Sequence, residues 1–235
     1  MSESGARSKV EQLRKQEQSE RRRRLIAVGA VSAVVAGGIA VAATLALGGE
    51  SADPSAGQGL VGIGADATCG EDVLTPADGG GDHVETPVSY DTSPPSFGPH
   101  RPLWEQVGTG RKLYEADDRP EVEALVHNLE HGYTILWYDQ TVADDGDAMD
   151  AVEEIVDKFP GPAVAEGKFI AVPWLAEDGD PFPDDNHVAL SHWSVKGDGE
   201  TGQGVIRYCS GPSGDEVDDF VQTWPYSDSP EPFAG

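Results

Sequence analysis

Cysteine is scarce in this 235-residue sequence. The chain contains two cysteines, Cys69 and Cys209, and they do not form a C-x-x-C pair. The sequence therefore offers neither a dithiol redox motif nor a zinc site built from cysteine pairs. Both cysteines follow the apolar segment described below, on the side of the membrane that we expect to be oxidising. We therefore predict a disulfide bond between them.

Positive charge is scarce beyond the N-terminus. The sequence has 16 Lys and Arg against 42 Asp and Glu. Residues 1–24 hold eight of these basic residues and four of the acidic ones, so the rest of the chain carries 8 basic and 38 acidic residues, a net charge of −30. A field of this sign argues against nucleic acids and anionic membrane surfaces as partners. It favours cations, although it also suits a soluble surface adapted to saline surroundings.

Long apolar runs are limited to residues 25–47, which contain no charged side chain. A helix of 23 residues would be roughly 34 Å long, enough to cross a bilayer core of about 30 Å. The segment is longer than the apolar core of a cleavable signal peptide, and the basic cluster at residues 21–24 is typical of the cytoplasmic side. We predict a cytoplasmic tail (1–24), one transmembrane helix (25–47) and an extracytoplasmic remainder at the cell membrane.

The extracytoplasmic part is predicted to contain one domain. Residues 48–67 have little to bury and are expected to form a flexible linker, residues 68–224 the globular domain, and residues 225–235 a loose tail. Alternating and β-branched patterns predict strands at 133–138, 169–174, 188–195 and 204–208, and amphipathic patterns predict helices at 120–131, 149–159 and 215–224, the last capped by Ser213. Helices and strands mix without a regular β-α-β rhythm. We therefore expect an α+β domain with a mixed or antiparallel sheet and two to three helices; a thioredoxin-like α/β arrangement is the alternative.

Histidine spacing carries the functional signal. His127 and His131 lie four positions apart on the helix predicted for 120–131, so one face of that helix carries both imidazoles. At roughly 100° per residue they fall opposite the apolar stripe, and are expected to face solvent, a cleft or another segment. His100 ends a proline-restricted loop that would hold its side chain in place. His100, His127 and His131, with His83 as a further ligand, therefore predict a zinc or copper site.

Two other interpretations of the same residues stay open. The order H-x-x-E-H over 127–131 also matches the zinc motif of inverted zinc peptidases, in which Glu130 would act as the general base of a metal-dependent hydrolase. Alternatively, His127 and His131 simply end a helix by interacting with its dipole, in an envelope module that binds an unidentified protein. The sequence has no nucleophile elbow and no phosphate-binding glycine loop. A binding protein is therefore favoured over an enzyme.

Two further motifs suggest a family. The segments P-P-S-F-G-P-H, ending at His100, and H-N-L-E-H-G, starting at His127, together resemble a PPxSGxH-like and an HxLEHG motif. They are similar to those of a bacterial, actinobacterial-type family of membrane-anchored domains of unknown function. Phe97 stands where that pattern commonly has serine. The resemblance implies an extracytoplasmic, membrane-tethered domain and supplies no activity.

Overall fold

The structure is a computed structural model that describes residues 59–64, 66–105, 111–160 and 167–234. The predicted cytoplasmic tail and transmembrane helix, and most of the predicted linker, lie outside these residues. Among the residues that are described, no helix combines the length and the apolar character that a membrane span requires.

Five strands form one mixed sheet, and the helices of the described chain lie on both of its faces. In chain order the elements are β1 (Val73–Pro76), α1 (Val122–Glu130), β2 (Thr134–Tyr138), α2 (Gln140–Ala143), α3 (Gly146–Lys158), β3 (Phe169–Pro173), β4 (Val188–Gly199), β5 (Gly202–Cys209), α4 (Gly214–Thr223) and a 3-10 turn (Tyr226–Asp228). The strand order is β1-β5-β4-β2-β3. Strands β2 and β3 are parallel, and every other pair is antiparallel.

This architecture confirms the α+β prediction. A helical crossover joins β2 to β3, whereas residues 174–187 connect β3 to β4 as a loop without helix. The regular β-α-β rhythm of an α/β protein is therefore confined to one unit. Four helices are described where two to three were expected, because the short α2 was not predicted. Strand β1 was also missed, since its four residues are mostly exposed and carry no alternating pattern.

The sheet separates two apolar layers. Alternate residues of β2 point to opposite faces: Leu136 and Tyr138 join one buried cluster, and Ile135 and Trp137 join the other. Helices α3 and α4 cover the first face, with Ile155 and Phe220 fully buried there. Helix α1 covers the second face through Leu125 and Leu129, both 0% exposed.

The predicted disulfide is present. Cys69 and Cys209 are bonded across 140 positions of sequence. Cys209 is the last residue of β5, and the disulfide joins the segment before β1 to this strand. Ser213 caps α4 as predicted, accepting a hydrogen bond from the Glu216 backbone N–H.

Packing extends beyond the predicted limits of the domain at both ends. Leu60 and Ile63 were assigned to the flexible linker, yet both are buried in the layer under α3 and α4. Residues from 225 onward were expected to form a loose tail, yet Asp228 is buried and bonded to β4. The reason is the same in each case. A few apolar or charged side chains pack against or bond to the rest of the domain, and the amino-acid composition of these segments does not indicate such contacts.

Candidate metal centre

The polar face of α1 is buried. Leu125 and Leu129 place one side of the helix against the sheet, as the apolar stripe predicts. His127 and His131 lie away from that stripe but are only 3% and 2% exposed. The loop before α1 and the C-terminal segment cover them, so the predicted contact with another segment of the domain is the one that occurs.

The helix ends where the C-terminal segment crosses it. Gly132 has a φ of 89°, and a Cβ at this position would lie 2.5 Å from the carbonyl oxygen of Tyr226. Only glycine combines this backbone conformation with such a close approach. Residues 225–234, here called the strap, thereby come directly over the end of α1.

Two histidines come from the loop before α1. His83 and His100 pair as short parallel segments, in which the Val84 N–H donates to the His100 carbonyl at 2.7 Å. The His100 N–H donates to the Asp82 carbonyl at 3.0 Å. His100 is completely buried and its ring centroid lies 4.6 Å from that of His127. The backbone pairing brings the His83 ring to 4.9 Å from the His127 ring.

Hydrogen bonds fix the tautomer of His100. Its Nδ1 lies 2.9 Å from the Gly98 carbonyl oxygen, which can only accept, so Nδ1 carries the proton. In the neutral form of His100, Nε2 then carries the lone pair. It lies 3.2 Å from the Glu130 Oε2 atom but has no hydrogen-bond partner among the described residues. An imidazole held by one nitrogen, with the other free, is the arrangement that metal-binding histidines adopt.

The same argument applies to His127. Its Nδ1 lies 2.6 Å from the Arg101 carbonyl oxygen and therefore donates to it. Its Nε2 carries the lone pair and lies 3.1 Å from His131 Nε2 and 3.9 Å from Glu130 Oε2. The 3.1 Å contact is of hydrogen-bond length, and a metal ion bound at His127 Nε2 would replace it.

Asn128 holds the segment that orients His127. Its side-chain oxygen accepts from the Glu105 N–H and its amide donates to the Glu105 carbonyl, both at 2.9 Å. This paired contact fixes residues 101–105 against α1, including the carbonyl of Arg101. It also places the Trp104 ring 5.3 Å from the ring of His127 and 4.7 Å from that of His131.

The electrostatics favour neutral imidazoles beside a carboxylate. Burial lowers the pKa of His127, and burial together with His127 lowers the pKa of His131 to about 4. Burial alone would raise the pKa of Glu130, but its interactions with His100, His127 and His131 hold that pKa below its ordinary value. At neutral pH His127 and His131 are therefore uncharged and Glu130 is an anion. These are the protonation states that metal ligation requires.

Four ligand atoms converge. His83, His100, His127 and Glu130 each offer one nitrogen or oxygen atom, and these four atoms lie within 4.8 Å of one another. Ligands bound at about 2 Å can be at most about 4 Å apart, so small side-chain movements would close the group on one ion. His131 is not in this group. It belongs to a neighbouring one, with Glu130 and Glu231, whose atoms also lie within 4.8 Å of one another.

The sequence predicted one site with four histidine ligands, whereas the structure places His83, His100 and His127 in one group and His131 in the other. Glu130 was predicted as a catalytic base, and it stands in both groups. Glu231 was assigned to a loose tail. A position three residues after His127 places a side chain on the same helical face, so Glu130 was detectable from spacing. Glu231 gave no such signal, because its approach depends on the path of the strap.

The remaining histidines lie elsewhere. His187 Nδ1 contacts Asp139 Oδ2 at 2.8 Å, just beyond the end of β2 and the start of β4. His192 is completely buried, and its Nε2 lies 2.8 Å from Asp228 Oδ1. Both imidazoles contact aspartates that belong to neither ligand group.

Comparison with protein families identifies the group to which the chain is related. The model of the family described as "Protein of unknown function (DUF3105)" matches residues 83–233. The chain belongs to the DUF3105 family. In this DUF3105 protein the matched region begins at His83 and extends through Glu231, so it contains every residue of both ligand groups. Searches of curated proteins and of solved structures found no match.

Proposed function

We propose that this protein is a membrane-anchored extracytoplasmic protein that binds one or more divalent transition-metal ions, copper or zinc, through His83, His100, His127 and Glu130. The observation that carries the proposal is the convergence of four ligand atoms within 4.8 Å. Two of the imidazoles have Nδ1 engaged by backbone carbonyls and Nε2 available. Three nitrogens and one oxygen form a ligand set that zinc and Cu(II) both accept.

The available ligands favour divalent over monovalent copper. Thiolate and thioether groups select Cu(I). Both cysteines are joined in the disulfide. Met149 is the one methionine in the described residues, and it packs against the apolar layer under α3. The centre therefore offers imidazole and carboxylate groups, which suit Zn(II) and Cu(II).

The membrane location rests on separate arguments. The uncharged segment 25–47 follows a cluster of arginines at 21–24, which is the pattern of a single membrane span with a cytoplasmic N-terminus. A disulfide bond between Cys69 and Cys209 suits an oxidising compartment outside the cytoplasm. The acidic surface would attract cations to the domain.

The geometry supports a binding site better than a hydrolase. Catalytic zinc sites use three protein ligands and keep one position open for water, whereas closed sites use four. The first group supplies four side chains, and Glu130 lies among them at 3.2 Å from His100 Nε2. A carboxylate used as a ligand is not free to activate water as a general base.

Metal titration of the full chain tests the proposal. All six histidines and both cysteines lie at residue 69 or later, so imidazole and thiolate ligation is confined to this domain. We expect Zn(II) or Cu(II) at about 100 times its dissociation constant to stabilise the stripped protein by about 2.7 kcal/mol. For a domain of this size the melting temperature would rise by about 5–11 °C.

A matched pair of variants identifies the site. His100→Gln removes a buried ligand, whereas His187→Gln removes a histidine outside the centre. The stabilisation should disappear in His100→Gln and persist in His187→Gln. No rise in melting temperature for the unmodified protein, or an equal rise in both variants, would contradict the proposal.

A further inference from the structure

The second group of ligand-type side chains is Glu130, His131 and Glu231, and it adjoins the first. We propose that these residues form a second cation position, and that Glu130 belongs to both positions. The loaded centre would then hold two divalent metal ions bridged by the Glu130 carboxylate. This inference rests on the proposed function, because the first position must exist for Glu130 to be shared.

The strap places Glu231 by backbone contacts to the same helix end. The Glu231 N–H donates to the Glu130 carbonyl oxygen at 2.9 Å. The side chain of Lys168 donates to the carbonyls of His131, Pro232 and Ala234 at 2.8–2.9 Å, which joins the end of α1 to the part of the strap that follows Glu231. The two carboxylate-bearing residues are therefore fixed next to each other.

Before Glu231, Asp228 anchors the strap to the sheet. Its two carboxylate oxygens contact His192 Nε2 at 2.8 Å and Ser194 Oγ at 3.1 Å, and both partners are buried in β4. Lys196 Nζ lies 3.3 Å from the same carboxylate. These contacts fix the backbone of the strap on each side of Glu231. The position of Glu231 next to α1 is therefore set by the fold.

His131 supplies a buried imidazole that the first position does not use. Its side chain is 3% exposed, its Nε2 lies 3.6 Å from Glu231 Oε2, and its Nδ1 has no hydrogen-bond partner among the described residues. Because the His127 proton is on Nδ1, the 3.1 Å contact between the two Nε2 atoms requires His131 to be the donor. His127 Nε2 would be taken up by a metal at the first position. His131 would then lose this acceptor; with its proton moved to Nδ1, its Nε2 would be free to bind the second ion beside the two carboxylates.

Charge favours occupation of both positions. Glu130 and Glu231 place two carboxylates beside the His131 imidazole, and these outnumber the one nearby ammonium group, that of Lys168. Carboxylate-bridged pairs of metal ions are typically about 3.5–4 Å apart. Glu231 is 57% exposed, whereas His100 is fully buried. We therefore expect the second ion to exchange with solvent more readily than the first.

Stoichiometry separates this inference from the proposed function. The stripped full chain would be equilibrated with Zn(II), and bound zinc counted by native mass spectrometry. We expect two equivalents in the unmodified protein and in Glu200→Gln, which neutralises an exposed carboxylate elsewhere. Glu231→Gln should retain one equivalent, and Glu231→Asp should recover the second at higher zinc concentration.

Each other result has a distinct meaning. A single equivalent in the unmodified protein, or two in Glu231→Gln, would overturn the second position and leave the proposed function standing. Binding of no zinc or copper would overturn both. A second measurement uses Cu(II): two ions this close couple magnetically, so the electron paramagnetic resonance signal should be weaker or broader than expected for the copper bound. Glu231→Gln should give the full signal of one isolated ion, and an uncoupled two-copper spectrum in the unmodified protein would also overturn the inference.

Discussion

Asn128→Ala tests whether the segment before α1 positions the metal centre without contributing a ligand. Asn128 is completely buried and makes two hydrogen bonds of 2.9 Å to the backbone of Glu105. These bonds hold the segment whose Arg101 carbonyl receives the His127 Nδ1 proton. Alanine removes both bonds and leaves the ligand side chains themselves unchanged.

The structure allows the size of the effect to be worked out. A hydrogen bond of this kind contributes about 1 kcal/mol net, so loss of two costs about 2 kcal/mol. Glu105 is half-buried, and water can therefore reach the freed backbone groups and keep the penalty near this value rather than above it. In a domain of this size the melting temperature of the metal-free protein should fall by about 4–8 °C.

The metal affinity should fall as well. Groups that orient metal-binding imidazoles typically change affinity by about 10–100-fold when they are removed. We expect a loss in this range for Asn128→Ala, measured by competition with a chelator of known zinc affinity. Trp104 lies against His127 and His131, so a change in tryptophan fluorescence would report displacement of the same segment.

Asn186→Ala is the matched control. Asn186 also donates to a backbone carbonyl, that of Pro183 at 2.8 Å, but this hydrogen bond is exposed to solvent and distant from the centre in the chain. This variant should change stability by less than about 0.5 kcal/mol and leave affinity unaltered. If Asn128→Ala loses stability but binds zinc as tightly as the unmodified protein, the positioning argument is wrong.

Three further predictions concern the fold and the ligand set. Reducing the Cys69–Cys209 bond should lower the unfolding free energy by up to about 5 kcal/mol, because the disulfide closes a loop of 140 positions. Urea unfolding with and without reductant measures this difference, and an unchanged urea midpoint would contradict the prediction. The pKa of His131 is lowered to about 4 in the folded protein, below its unfolded value near 6.5, so the unfolded chain binds the proton first. The metal-free protein should therefore lose up to about 3 kcal/mol of unfolding free energy as the pH falls from 6.5 to 4, and the lowered pKa values of His127 and Glu130 act in the same direction. An unfolding midpoint that rises on acidification would refute this. Glu130→Gln should weaken zinc binding at least tenfold in the chelator assay, since Gln keeps the shape but removes the charged ligand, and full retention of affinity would exclude Glu130 from the ligand set.

The strands and long helices were predictable because their signals are local. Strand β2 is rich in aromatic and β-branched residues, and the apolar residues of α1 repeat with helical spacing. Both were assigned to within one or two residues. The burial of Leu60 was not predictable, because a single leucine in a segment of small and polar residues carries no periodic pattern. Its burial depends on an α3–α4 surface that is formed by residues about a hundred positions later.

The sequence identified the histidines that lie close together, but not how they divide between the two ligand groups. Spacing placed His127 and His131 on one face, and prolines marked His100 as a fixed side chain. Whether His83 and His131 lie on the same side of Glu130 depends on how the loop and the strap cross α1. No local pattern contains that information. The same limit explains why Glu231 was missed: its ligand-type oxygen approaches His131 from a segment one hundred residues away.

The burial of the polar face of α1 is itself an argument for ligation. A helix on one side of a sheet ordinarily buries only its apolar stripe, yet every residue from Leu125 to Glu130 is buried here. Covering imidazoles costs free energy unless their nitrogens find partners. His100 Nε2 has none among the described residues, although it lies 3.2 Å from the Glu130 carboxylate within a group of ligand-type atoms. Simple helix capping would leave this buried nitrogen without a partner, whereas a metal ion bound beside Glu130 would engage it directly. The residues that the metal hypothesis requires are thus the ones whose ligation would offset the free energy of burying the polar face of α1.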